Sequence, residues 1–176
     1  AKEDDEYIVR VMPIPYFDRD ENGRFKEMHW EGEIFPDYVP ITRYDEYDIR
    51  EHQPDMIFIH NPYDDYNRVT SIHPDYYSVK LKECTEKLVY IPYFILDEAR
   101  PTDEAYVERR KHYCLTPAVI NADMVIVQSE KMRELYVNVL SEAFGEHTRT
   151  KWKKKILGLG SPKSDKVMNT RREDID

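Results

Sequence analysis

Met56-Ile57-Phe58-Ile59-His60-Asn61-Pro62-Tyr63-Asp64-Asp65-Tyr66-Asn67 is the stretch that decides the fold. Four apolar residues run without interruption and then give way abruptly to polar ones. A short continuous apolar run bounded by turn residues reads as a strand buried on both faces, the mark of a parallel sheet. Such a sheet gathers ligands beyond the carboxyl ends of its strands. The polar cluster begins where this strand, read as Met56–His60, stops.

Outward from it, four more runs have the same character: Tyr7–Ile14, Lys87–Tyr93, Met124–Gln128 and Lys155–Leu159. β-branched residues dominate Ile8-Val9-Arg10-Val11 and Val125-Ile126-Val127, as strands favour. Together they predict a parallel sheet of about five strands, with Ile57, Phe58, Ile59, Val89, Val125, Ile126 and Val127 buried. Helical stretches lie between the runs. Pro74–Glu83 fits a short helix. Thr102 is placed to cap another, running from Asp103 towards Ala118 and bent or ended near Pro117. Met132, Leu135, Tyr136, Val139, Leu140 and Ala143 repeat at helical spacing over Glu130–Ala143, with Ser129 as N-cap. Strand–helix alternation predicts an α/β domain, a Rossmann-like open parallel sheet flanked by helices and doubly wound. Residues 16–48 break the rhythm, with a turn at Asp20-Glu21-Asn22-Gly23 and an extended excursion marked by Pro36 and Pro40.

Composition narrows the class. The 176 residues suit one domain, expected over 1–166, with 167–176 starting a linker. A 40% hydrophobic content with only 5 glycines excludes a disordered or collagen-like chain. The longest apolar run, Leu88–Leu96, contains Pro92 and falls far short of the ~20 residues a spanning helix needs. The polar start Ala1–Glu6 does not read as a signal peptide. Cys84 and Cys114 stand far apart with no second pair, which suits a reduced, cytoplasmic setting. The net charge of −9 is unevenly spread. Residues 147–172 hold nine Lys/Arg and a single acid, Asp165, while residues 1–146 balance at −14. The acidic body argues against nucleic acid as a partner. The basic segment 149–155 suits peripheral contact with an anionic surface, such as the inner face of the cell membrane.

Chemistry is expected at the strand ends. His60 has the right ordinary basicity to take a proton from a hydroxyl. Asp64 can orient it or accept from a polyol. Asn61, Tyr63, Asp65 and Asn67 complete a ligand-binding loop, joined by Tyr93 after the third run and Ser129 after the fourth. Asn-Pro and paired Asp residues also build turns and caps, and a histidine there can simply satisfy a backbone carbonyl. Asp64 and Asp65 lack a further ligand at metal spacing, so no metal site is expected. The GxxxxGK[ST], GxGxxG and GxSxG patterns are absent.

Four blocks carry a family resemblance: Val11-Met12-Pro13-Ile14-Pro15-Tyr16-Phe17-Asp18, Pro54 to Asn67, Lys87-Leu88-Val89-Tyr90-Ile91-Pro92-Tyr93-Phe94, and Gly160-Ser161-Pro162-Lys163-Ser164-Asp165-Lys166. In this order they resemble bacterial proteins of the CDP-glycerol glycerophosphotransferase family. The resemblance implies a GT-B architecture, two Rossmann-like domains across a cleft, with this chain as most of the N-terminal, acceptor-side domain. It further implies another strand and helix upstream, a donor-binding domain downstream, and transfer of glycerol phosphate from CDP-glycerol to a cell-envelope polymer, teichoic acid in some members, or to a glycan acceptor. No cofactor is implied. The teichoic-acid polymerases of the family place a His-Gly pair after the strand equivalent to Lys87–Tyr93. Pro92-Tyr93-Phe94 stands there in this chain, so that assignment does not transfer and His60 is the candidate base. The competing expectation is a flavodoxin-like binding module without chemistry of its own.

Overall fold

A computed structural model describes residues 6–171. In chain order it contains β1 (Tyr16–Arg19), β2 (Phe25–His29), α1 (Ile49–His52), β3 (Met56–Ile59), β4 (Thr70–Ile72), α2 (Ser78–Leu81), β5 (Lys87–Tyr90) and α3 (Glu104–Cys114). These are followed by α4 (Pro117–Asn121), β6 (Met124–Ile126), α5 (Glu130–Phe144), α6 (Arg149–Lys155), β7 (Ile156–Leu157) and α7 (Pro162–Asn169). The chain divides into two compact units. One takes the residues up to Asp55 together with Tyr63–Glu86, and the other takes Met56–Pro62 and the chain from Lys87 onward.

The second unit holds the Rossmann-like α/β fold. Its four strands are all parallel, in the order β3-β5-β6-β7. They succeed one another in chain order without the reversal of a doubly wound sheet. Two right-handed crossovers in the same direction put their helices on one face, and α3 does pack against α5. Register sorts the strand residues accordingly. Leu88, Tyr90, Val125 and Ile156 share a face with Ile57 and Ile59, and those four are wholly buried. Met56, Phe58, Val89, Met124, Ile126 and Leu157 share the other face. There Phe58 stays 55% exposed and Met56 44%, while Val89 is buried. The expected burial therefore holds for Val89, Val125 and Val127. It fails for Phe58, and Ile57, Ile59 and Ile126 are half-buried. The reason is position: β3 is an edge strand, flanked on one side only.

The helices obey local chemistry. Ser129 Oγ accepts from Met132 N at 3.1 Å and caps α5, whose Leu135, Tyr136 and Leu140 are buried. Each such burial stabilises by roughly 1.5–3 kcal/mol. Asp103, one residue later than the expected Thr102, caps α3 by accepting from Tyr106 N at 3.0 Å, since a carboxylate is the stronger acceptor. α3 ends at Cys114, just short of Pro117, and Pro117 opens α4 at a position where its missing N–H costs nothing. Lys155 is buried, and its ammonium donates to Ile120 O at 2.8 Å. α7 has no buried residue, and residues 172–176 of the expected linker lie outside the described ones.

The first unit contains a three-stranded antiparallel sheet in the order β2-β1-β4. The expected turn is present: Asp20 Oδ1 accepts from Asn22 N and Arg24 N, both at 2.8 Å, and Gly23 adopts φ +77°. The expected strand Tyr7–Ile14 is absent. Ile8 is 90% exposed, and within that stretch only Val11 is bridged, to Ile41. Pro13 and Pro15 remove two ladder donors, so β structure starts only at Tyr16. The helix expected over Pro74–Glu83 is broken into 3₁₀ turns flanking α2.

Candidate functional site

The carboxyl ends of the parallel strands bring the motif-bearing segments together. β3 ends at Ile59, and Ile91 N donates to Ile59 O at 3.0 Å, extending the ladder past β5. His60 follows, exposed, with Nδ1 2.9 Å from Ile91 O. A carbonyl only accepts, so Nδ1 carries the proton and Nε2 of the neutral ring carries the lone pair. That is the tautomer a general base needs when its far nitrogen meets solvent. Ala118 N donates to Pro62 O at 3.2 Å and fixes the exit of this loop.

After β5, Tyr93 is 50% exposed and meets Phe94 edge-on at 5.3 Å, and Phe94 in turn contacts Tyr113. Gln128, just past β6, clamps this segment. Leu96 N donates to Gln128 Oε1, and Gln128 Nε2 donates to Leu96 O, both at 2.8 Å. After β7, Gly158 runs so close to the start of α5 that a Cβ would lie 2.7 Å from the backbone of Ser129 and Glu130. Ile91, Pro92, Phe94, Gln128, Gly160 and Ser161 line a shallow cleft with room for roughly one water molecule. Ser129, expected at the ligand, uses its hydroxyl to cap α5.

The rest of the expected loop belongs to the other unit, where much of it serves the backbone. Asp64, expected to orient His60 or accept from a polyol, turns inward. It is 4% exposed at φ +47°, and Ser78 donates to both of its oxygens, from N at 2.8 Å and from Oγ at 2.6 Å. Burial raises its carboxyl above the ordinary value; the Ser78 bonds oppose this, and the neighbouring Asp65 charge adds to it. Each oxygen thus takes a Ser78 donor, and Asp64 serves to hold the start of α2. Asn67 Oδ1 accepts from Val69 N at 2.9 Å and Thr70 N at 3.4 Å, closing the turn into β4. Asp65 is exposed, while Asn61, in the His60 unit, and Tyr63 are half-buried. Among the described residues no group of three His, Cys, Asp or Glu is placed to hold a metal, and no helix is long and apolar enough to cross a membrane.

Two features escaped the reading of the sequence. Gln128 was taken only as the end of a strand, since its partner lies 32 residues away. The Asp18–His29 pair on β1 and β2 was hidden by a register shift between Phe17 and Arg19, which a turn motif alone does not reveal. No family model, curated protein or solved structure matches this chain.

Proposed function

We propose that the parallel-sheet unit is the acceptor-side part of a glycerophosphotransferase of the GT-B type, acting on CDP-glycerol and a hydroxyl-bearing envelope polymer or glycan. The observation that carries this reading is His60, held by Ile91 O at the carboxyl edge of the sheet with Nε2 left as an acceptor. In the proposed step the acceptor hydroxyl oxygen attacks the phosphorus of the glycerol phosphate. The bond from that phosphorus to the CMP oxygen breaks, CMP leaves, and the hydroxyl proton passes to His60 Nε2. Tyr93, Phe94 and the Gly160–Ser161 turn line the acceptor side, with Gln128 as a positioning residue. The donor nucleotide is held by a companion domain, and the basic segment 149–155 contacts the inner face of the membrane.

The test has two arms. Calorimetry on this chain alone is expected to show no micromolar CDP-glycerol binding, and such binding would mean that the chain belongs to the donor side instead. With the donor-binding domain in the same polypeptide, CMP release from CDP-glycerol is expected to depend on an added polyol-phosphate acceptor. The inward turn of Asp64 favours a second reading, a binding module without chemistry, which predicts acceptor binding without CMP release.

A further inference from the structure

α7 opens at the lip of the cleft, and its first turn is uncapped. Ser161 precedes it in an extended conformation, with no side-chain cap bond. Pro162 brings no N–H, and Asp165 N is the first amide of the turn to find a carbonyl, Ser161 O at 3.0 Å. Lys163 N and Ser164 N are left as orphan donors of a helix N-terminus, both on exposed residues.

A second observation points to a ligand. Ser161 is only 9% exposed, yet it lines the cleft, and its hydroxyl has no hydrogen-bond partner among the described residues. A buried hydroxyl left unbonded costs stability unless something else meets it. Its neighbour Gly160, at φ +110°, has nothing within 4 Å of where a Cβ would stand, so the turn is open to an incoming group. Beyond Ser161 the wall is apolar, with Ile91, Pro92 and Phe94.

The donors fix the charge and shape of that group. Two amides at the positive end of a helix, the Ser161 hydroxyl and the Lys163 ammonium can all donate to one anion. Asp165, the acid of the turn, lies roughly 200° round the helix from Lys163. A phosphate monoester offers three terminal oxygens to these donors, whereas a carboxylate offers two in one plane.

We propose that the Ser161–Ser164 turn binds the phosphate of a small phosphate monoester. Ser161 Oγ, Lys163 N and Ser164 N donate to its three terminal oxygens, one of which takes the water-sized room in the cleft. Lys163 supplies countercharge, and the carbon group of the ester lies towards Phe94. Phosphates inside an envelope polymer are diesters with two free oxygens, so the turn reads a different group from the proposed acceptor. The site rests on the helix end and the buried hydroxyl, not on the transfer reading. Phosphate binding without CMP release would leave it standing, and CMP release without phosphate binding would remove it alone.

Amide NMR of the ¹⁵N-labelled chain at constant ionic strength tests it, with inorganic phosphate and phenyl phosphate as probes and dimethyl phosphate as the diester control. Lys163 and Ser164 signals are expected to shift saturably with both probes, and the control to bind about tenfold more weakly. Ser161→Ala is expected to lower affinity about tenfold, the loss of one hydrogen bond to a charged group. Lys163→Gln, at an exposed position, is expected to lower it about threefold and keeps the test alive if the first variant misfolds. Shifts that do not saturate, equal binding of dimethyl phosphate, or a folded Ser161→Ala that binds like the parent would overturn the proposal. So would a response confined to phosphatidylcholine vesicles carrying phosphatidic acid, which would assign the turn to a membrane surface.

Discussion

Asp64 and His60 show how differently adjacent polar residues are used. The pair was legible as a polar cluster after a strand, but the partners that decide their roles, Ser78 and Ile91, lie 14 and 31 residues away. Sequence spacing could not reveal that Asp64 ties down α2 while His60 keeps a nitrogen for solvent. Asp64→Ala leaves Ser78 N buried without an acceptor and is expected to cost about 1–3 kcal/mol in denaturant unfolding. Asp64→Asn keeps an acceptor and a donor for Ser78 and is expected to fall within about 1 kcal/mol of the parent. The sign of the pH dependence follows from the raised carboxyl. A group bound more tightly to its proton in the folded state contributes fully below its unfolded value, about 3.9. That contribution is lost as pH rises through the folded value. Parent stability relative to Asp64→Asn is therefore expected to fall as the medium goes from acid towards neutral. A rise over that window would contradict the burial argument.

At the scale of elements, the strands of the parallel sheet were readable because each is an apolar run cut off by polar or proline residues. Met56–His60, Lys87–Tyr93, Met124–Gln128 and Lys155–Leu159 each contain a strand, shorter than read because the ladder stops before the apolar residues do. The antiparallel ribbon was not readable. β2 is mostly exposed and carries Lys26 and Glu27, so no hydrophobic alternation announces it. Gly158 marks a tight junction, where β7 leaves against the backbone at the start of α5. Gly158→Ala must push apart two backbones and is expected to lower stability by about 1–3 kcal/mol, measured by thermal or urea unfolding. An unchanged midpoint would mean that the contact yields freely. α7 stands at the opposite extreme. With every side chain exposed, its amides are expected to exchange with solvent far faster than those of α5, and hydrogen exchange followed by mass spectrometry reads the contrast directly. Protection of α7 equal to that of α5 would show that the helix is docked.

For the molecule as a whole, the α/β class and the parallel sheet were legible, while the division into two units was not. Residues 16–48 read as a break in the strand–helix rhythm and an extended excursion, but they join residues 63–86 in a unit with its own sheet. The proposed chemistry sits on the parallel unit, at His60, whose tautomer is set by a strand-end carbonyl. Turnover and melting temperature of His60→Ala, measured with the donor-binding domain in the same polypeptide, test that placement most directly. The account predicts an unchanged melting temperature and a kcat lower by about 10²–10⁴, the loss typical of a missing general base. Unchanged turnover, or a raised acceptor KM with kcat intact, would contradict it.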